Sequence, residues 1–222
     1  MPAALGLSHR RRLLDAELAD HAVRFSGLVL EIGAQRARRG GFRPPDIGVR
    51  WLQLNIAETE QPDIVADLQH LPVRDDSIDW VVCLEMLQYV VSPDAAVREI
   101  RRVLRPGGAT VVSVPFLHRT DGPTDRHRFT ETRVRELLAT AGLAVEHVAA
   151  QAAFFGTLAN QLRQAVAHVA NRWARWPLAA TIRPIELGLI AADHLAMVRS
   201  SPFLSSFTTG FLVFARKPGQ PT

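Results

Sequence analysis

The chain has 222 residues, of which 47% are apolar and 22% are charged, a composition typical of a folded globular protein and not of a disordered one. Its net charge of +4 is mild and its arginines are scattered, so we do not expect it to bind nucleic acid. The single cysteine, Cys83, excludes a disulfide framework. The first residues lack the apolar core of a signal peptide, and no apolar run approaches the roughly 18 residues that span a bilayer, so we expect a cytoplasmic protein.

The first half of the chain predicts one helix followed by four strands. Residues 8–25 have leucines near helical spacing and predict an amphipathic helix. Four apolar or alternating segments then predict strands, at 27–33, 49–56, 63–67 and 78–87. The fourth segment begins as a continuous apolar run, as expected of a parallel strand that is covered on both faces.

The second half alternates helices with strands. Ser92 is predicted to cap a helix with Pro93 at its first position, and the "RPGG" at 105–108 is predicted to end it. Thr130 is predicted to cap the next helix, which Gly142 ends. The remaining strands are predicted at 108–116, 143–150 and 207–217. This order predicts a doubly wound α/β fold with a seven-stranded, mostly parallel sheet.

Residues 151–205 interrupt the alternation between strands six and seven. Apolar residues recur at steps of mostly three or four from Phe154 to Trp176 and predict one long amphipathic helix, followed by a second apolar segment at 182–198. Two interpretations stay open. In the first, the apolar stripes pack on the sheet and on each other, as a lid or a dimer surface, within a single domain over 1–222.

In the second interpretation, the insertion forms an interfacial helix that contacts a membrane. The aromatic and basic residues that favour it are Phe154, Phe155, Trp173, Trp176, Arg163, Arg172 and Arg175. Either way, we expect the insertion to shape a pocket, because connections at the carboxyl edge of such a sheet carry specificity.

Four motifs in a fixed order carry a family resemblance. They are "LEIG" at 30–33, the segment from "DLQHLP" to "LQYV" at 67–90, "RVLRPGG" at 102–108 and "VPF" at 114–116. The set resembles class I S-adenosylmethionine-dependent methyltransferases, in particular the group that includes small-molecule methyltransferases. The resemblance covers about residues 27–150 and strand seven. It implies S-adenosylmethionine as the cofactor, bound beyond the carboxyl ends of the strands.

The resemblance also places cofactor contacts on particular residues. Glu31, Gly33 and Gln35, in strand one and its turn, would face the amino-acid and sugar portions, and Asn55 at the end of strand two would face the ribose. Asp67 and Leu68, in the "ADLQHLP" segment, would contact the adenine. Leu84 and Glu85, at the end of strand four, would border the transferred methyl group.

Three departures from the family pattern leave an alternative function open. Only the first glycine of the usual Gly-x-Gly-x-Gly is present, and Gln35 stands where a small residue normally lies. Asn55 replaces an acidic residue, and Gln88 and Tyr89 stand where relatives often have Glu-His. The alternative is a catalytically inactive, methyltransferase-like binding or scaffold module.

The loop over 115–130 is predicted to overhang the same edge of the sheet. It resembles a Pro-x-Asp-x-x-Arg-aromatic-Thr run that covers the substrate side in a bacterial subset of these enzymes. His118 is a candidate general base, and Asp125 and Arg128 are candidate catalytic residues. The structural alternative is a salt bridge between Asp125 and Arg128 that ties the loop down. The spacing of histidines and acids does not predict a metal site.

We therefore predict a methyltransferase of bacterial small-molecule biosynthesis that acts on a small-molecule or saccharide-type acceptor. A homodimer and a peripheral membrane contact through 151–205 are the partners left open.

Overall fold

A computed structural model describes residues 7–34, 42 and 48–219, except for the side chain of Arg172. In chain order the helices and strands are α1 (His9–Asp20), β1 (Gly27–Ile32), β2 (Val49–Asn55), β3 (Ile64–Val65), β4 (Ile78–Leu84), α2 (Pro93–Val103), β5 (Leu104–Pro115), α3 (Glu131–Thr140), β6 (Ala144–Ala150), α4 (Phe154–Ala167), α5 (Arg172–Asp193), α6 (Ala196–Arg199), α7 (Pro202–Ser205) and β7 (Gly210–Arg216). Among these described elements, helices and strands alternate from β4 to α4, with four successive strands at the start of this part and four successive helices at its end.

The seven strands form one sheet in the order β3-β2-β1-β4-β5-β7-β6. Strand β7 is antiparallel to both of its neighbours, and the other pairs are parallel. The predicted doubly wound, mostly parallel sheet is confirmed. Strand order reverses between β1 and β4, and the carboxyl ends of parallel strands open a crevice at such a point.

The sheet is buried on both faces. One face packs against α2 and α3 through a large apolar cluster that includes Ile100 and Leu137. The other face packs against α1, where Leu14 and Leu18 meet Trp80. Cys83 is buried at 0% exposure, in agreement with its prediction as part of an apolar strand.

Two element boundaries differ from the predictions. Helix α1 ends at Asp20, and a short 3-10 turn over Ala22–Arg24 replaces the predicted last turn. Strand β5 begins at Leu104, directly after α2, so the "RPGG" segment lies inside the strand and not in a helix-ending loop. Both predicted helix caps are confirmed, since Ser92 and Thr130 each accept a hydrogen bond from a backbone N–H of the first helical turn.

The prediction of one long helix from Phe154 to Trp176 is wrong. The chain breaks after α4, and Asn171 caps a new helix by accepting a hydrogen bond from the Trp173 backbone N–H. Trp173 and Trp176 of α5 do not pack on the sheet either, because they are 80% and 55% exposed. Apolar spacing predicted the helical state correctly but not the face that is buried.

Candidate functional site

The turn after β1 is held against the end of β2. Gly33 has a φ of +77°, a left-handed conformation that favours glycine, and its N–H donates to the Leu54 carbonyl at 2.8 Å. A Cβ atom at Gly33 would lie 2.1 Å from Sδ of Met86. The left-handed turn therefore favours glycine at position 33, and the side chain of Met86, which follows β4, packs directly on it.

Asn55 fixes the same turn through its side-chain amide. Its Nδ2 donates to the Ala34 carbonyl at 2.6 Å, and its Oδ1 accepts from the Ala57 N–H at 2.9 Å. The side chain is buried, at 8% exposure. An aspartate could not donate to Ala34, so the amide serves a function here that the family's usual acid cannot.

Two other predicted cofactor residues belong to this part of the chain. Glu31 lies near the carboxyl end of β1, between Gln53 of β2 and Val82 of β4. Gln35, the largest departure from the family motif, lies outside the described residues.

Asp67 and Leu68 follow β3. Both carboxylate oxygens of Asp67 accept hydrogen bonds from Gln69, from its backbone N–H at 2.9 Å and from its side-chain amide at 3.0 Å. The amide oxygen of Gln69 in turn accepts from the Ser92 N–H at the start of α2. Leu68 is buried in the core at 4% exposure. The loop that carries Asp67 is thus anchored to α2.

Beyond Leu84, at the end of β4, Glu85 is the centre of a hydrogen-bond network. Its φ of +58° is unusual for a residue other than glycine. Its Oε1 accepts from Nη2 of Arg10 and from Oγ of Ser113, both at 2.6 Å, and its N–H donates to Ser113. Arg10 also donates to Oε1 of Gln151 at 3.0 Å. The network joins α1 to residues at the ends of β4, β5 and β6.

Asp125 and Arg128 form a salt bridge with each other, which is the alternative to a catalytic function that the sequence left open. Both nitrogens of the Arg128 fork lie 2.6 Å from the carboxylate, whose side chain is only 1% exposed. Arg128 also donates to the carbonyls of His118, Arg119 and His127. Hydrogen bonds from Arg128 lower the pKa of Asp125. The geometry therefore makes this pair a clamp that folds the loop between β5 and α3.

His118 lies in this loop against helix α4. Gln164 accepts from Nε of Arg119 through its Oε1 at 3.1 Å, so its amide nitrogen faces Nδ1 of His118, at 3.4 Å. This orientation makes Nδ1 an acceptor and places the proton of a neutral ring on Nε2. Burial, and then the nearby Arg10 guanidinium, lower the pKa of His118 to about 4. The ring is neutral at pH 7 and presents an N–H donor.

Sequence reasoning missed four polar residues of this edge. They are Arg10, Ser113, Gln151 and Gln164. Arg10 belongs to a run of basic residues before the first strand, and Ser113 lies inside a predicted apolar strand, so neither stands out by pattern. Only their positions in the folded chain identify them.

A cavity of about 260 Å³ lies farther along the same edge. It is bounded by Phe116 after β5, Thr130 and Glu131 at the start of α3, and Thr208 and Phe211 at β7. None of the predicted cofactor residues lines it. Among the described residues, no group of histidine, cysteine and acidic side chains is arranged to hold a metal ion.

Part of the chain matches a known family and several curated proteins. Residues 30–112 match a family model described as a methyltransferase domain. The demethylmenaquinone methyltransferase of Renibacterium salmoninarum is 38% identical over 91 residues, which cover 40% of this chain and 38% of that protein. The chain spans between 15% and 44% of the length of the curated relatives that it matches.

Two solved structures show the same architecture over most of the chain. The [4+2]-cyclase SpnF has a TM-score of 0.61 at 20% identity, and the match covers 93% of this chain and 81% of that one. The 1,6-didemethyltoxoflavin-N1-methyltransferase of Burkholderia thailandensis, solved with S-adenosylhomocysteine, has a TM-score of 0.52 at 16% identity, with 94% and 78% covered. At these identities the likeness establishes the fold.

Replacing Asn55 with aspartate is expected to destabilise the protein by about 1–3 kcal/mol, because a carboxylate would face the Ala34 carbonyl without a proton to donate. The free energy of unfolding in urea measures the effect. Asn171→Asp makes the same chemical change where only the side-chain oxygen is used, and should have little effect. Equal losses in both variants would contradict this function of Asn55.

Replacing His118 with glutamine is expected to reduce the loss of stability on acidification. The unfolded chain takes up a proton as pH falls through 6.5, whereas folded His118 does so only near pH 4, so protonation between these values favours unfolding. Urea unfolding at about pH 7.5 and about pH 4.5 measures the difference. His70→Gln, at an exposed position, is the control. An undiminished pH dependence in His118→Gln would contradict the lowered pKa.

Proposed function

Since the chain has the class I methyltransferase fold and matches the methyltransferase domain over residues 30–112, we propose that it is an S-adenosylmethionine-dependent methyltransferase. One observation carries the proposal. The matched residues run from β1 through most of β5, and the carboxyl ends of these strands form the edge where the candidate polar side chains lie. Ligands of open α/β sheets bind in this place.

The chemistry of this edge fits the cofactor. S-adenosylmethionine is cationic at its sulfonium and its α-amino group, and three carboxylates lie near or just beyond strand ends, on Glu31, Asp67 and Glu85. Gly33 has no side chain to obstruct the turn after β1. When bound, the cofactor supplies an electrophilic methyl group.

Each part of the edge would contact a different part of the cofactor. Glu31 and Gly33 would hold the amino-acid portion, Asp67 would hold the adenine amino group, and the end of β4 would border the methyl group. We assign Asn55 to positioning the turn, because both ends of its amide are already hydrogen-bonded.

We further propose that the acceptor is a small molecule or a saccharide and that the 260 Å³ cavity admits part of it. Phe116 and Phe211 provide apolar surface there, while Thr130 and Thr208 provide hydroxyl groups. A cavity with both kinds of surface suits an acceptor that has an apolar part and polar oxygens.

The loop between β5 and α3 is assigned to the acceptor side. Methyl transfer is an in-line displacement, so the protein acts chiefly by holding donor and acceptor in line. His118 would donate from Nε2 to an acceptor oxygen, because its Nδ1 faces the amide of Gln164. Arg128 with Asp125 would keep the loop folded around the acceptor.

One observation favours the alternative of an inactive binding module. Met86 packs directly on Gly33, where the cofactor of an active enzyme approaches the turn. Methionine has three rotatable bonds, so this side chain can move without a change of backbone. The two functions therefore differ in whether the cofactor displaces Met86, and binding decides between them.

Titration calorimetry with S-adenosylhomocysteine is expected to show binding, and Asp67→Ala is expected to weaken it at least about tenfold, because a charge-assisted hydrogen bond is lost. Asp94→Ala removes an exposed acid at the start of α2 and should bind as the unchanged protein does. Absence of binding to the unchanged protein at millimolar ligand would contradict the proposal and favour the inactive module. Equal affinities of the two variants would contradict the assignment of Asp67.

A further inference from the structure

Helix α5 carries both of its acidic groups on the inside, against α4. Arg163 of α4 and Glu186 of α5 are 4% and 2% exposed, and Nη1 of Arg163 lies 3.1 Å from Oε1 of Glu186. Asp193 is 7% exposed and accepts hydrogen bonds from the N–H groups of Ala153 and Phe155 at the start of α4. Charged and polar side chains therefore hold these helices together.

The outward faces of the same helices are apolar. Large apolar side chains that are 39% to 80% exposed lie along them, namely Leu158, Trp173, Trp176, Leu178, Ile185 and Leu187. On α5, exposed positions at steps of three and four residues are Trp173, Trp176, Ala180, Pro184, Leu187 and Ala191. A surface helix in water normally has the opposite arrangement, with its apolar stripe facing the core.

Large exposed apolar side chains also follow α5 in the chain. Leu195, Met197 and Phe203 are 51%, 72% and 70% exposed. We call the exposed apolar side chains of residues 154–205 the apolar face. Globular proteins rarely leave so much apolar surface to water, and such a patch marks a site of interaction.

The charges of residues 151–209 favour one kind of partner. Glu186 and Asp193 are the only acidic residues between 151 and 209, and both are buried. Arg183 and Arg199 are exposed, so the described surface charge of the segment is positive. A second copy of the chain would bring arginines against arginines, whereas anionic lipid headgroups complement them. Exposed tryptophans beside arginines are typical of helices that lie in a membrane interface.

We propose that the apolar face docks on a membrane surface that contains anionic lipids. The helices would lie on the bilayer and not cross it, since none of the described helices has the length and hydropathy to traverse one. Helix α4 also holds the loop that carries His118, because Gln161 donates to the Leu117 carbonyl and Gln164 contacts His118. The docking surface and the loop on the acceptor side therefore belong to one connected unit.

The test is co-sedimentation of the full chain with vesicles made of equal parts phosphatidylcholine and phosphatidylglycerol. We expect binding that weakens at least about tenfold in the double variant Trp173→Ser/Trp176→Ser, since two large apolar side chains no longer enter the interface. Tryptophan fluorescence should shift to the blue and be quenched by brominated lipid in the unchanged protein. Vesicles of phosphatidylcholine alone should bind more weakly.

The matched control is Val23→Ser/Val91→Ser, which removes two apolar side chains that are 94% and 69% exposed outside the insertion. It should bind vesicles as the unchanged protein does. Absence of binding to the anionic vesicles, or an equal loss in both double variants, would overturn the proposal. So would a homodimer by light scattering that Trp173→Ser/Trp176→Ser converts to a monomer, because the apolar face would then be a self-association surface.

Discussion

The ion pair between Glu85 and Arg10 is the interaction on which the candidate site depends. Glu85 follows β4 and has a left-handed backbone conformation that a glutamate adopts only at a cost in free energy. Hydrogen bonds from Arg10 and Ser113 to its carboxylate hold it in this conformation. Arg10 extends the same network to Gln151. The backbone carbonyl of Gln151 accepts a hydrogen bond from the hydroxyl of Thr208, at the entry to β7. One ion pair thus joins the first helix, the sheet edge and both ends of the helical insertion.

Ionic contacts also join α1 to the insertion itself. Arg12 lies 3.9 Å from Glu186, which already accepts hydrogen bonds from Arg163 and Arg183. A buried carboxylate with several guanidinium partners avoids the large penalty of an unpaired buried charge. This arrangement explains how α4 and α5 can have a polar interior and still be folded. It also leaves much of their apolar surface on the outside of the molecule.

The sequence predicts the sheet well and the insertion poorly, for one physical reason. Buried parallel strands are apolar along their length, so β1 and β4 are recognisable from composition alone. Ser92 and Thr130 predict helix starts because hydroxyl caps act locally. In the insertion, apolar spacing predicts helices but gives no information on the face that meets the protein. That face is set by Glu186 and Asp193, which bind Arg163 of α4 and the backbone at the start of α4, 23 to 40 residues earlier in the chain.

The candidate site shows the same limit at Asn55 and His118. In the sequence, Asn55 is recognisable only as the replacement of an acidic residue. The folded chain shows that its side-chain amide donates a hydrogen bond to the Ala34 carbonyl. The sequence predicts His118 as a candidate general base, and only the folded chain shows that the side-chain amide of Gln164 faces its Nδ1. The clamp between Asp125 and Arg128 is easier to predict, because these residues are three positions apart and pair within one loop.

A double-mutant cycle between Arg10 and Glu85 tests most directly whether their ion pair supports the site. The free energy of unfolding would be measured for the unchanged protein, Arg10→Gln, Glu85→Gln and the double variant. We expect a coupling energy of about 1.5–3 kcal/mol, as for a hydrogen bond between charged groups that are largely shielded from water. Additive effects, with a coupling below about 0.5 kcal/mol, would contradict the dependence of the site on this contact.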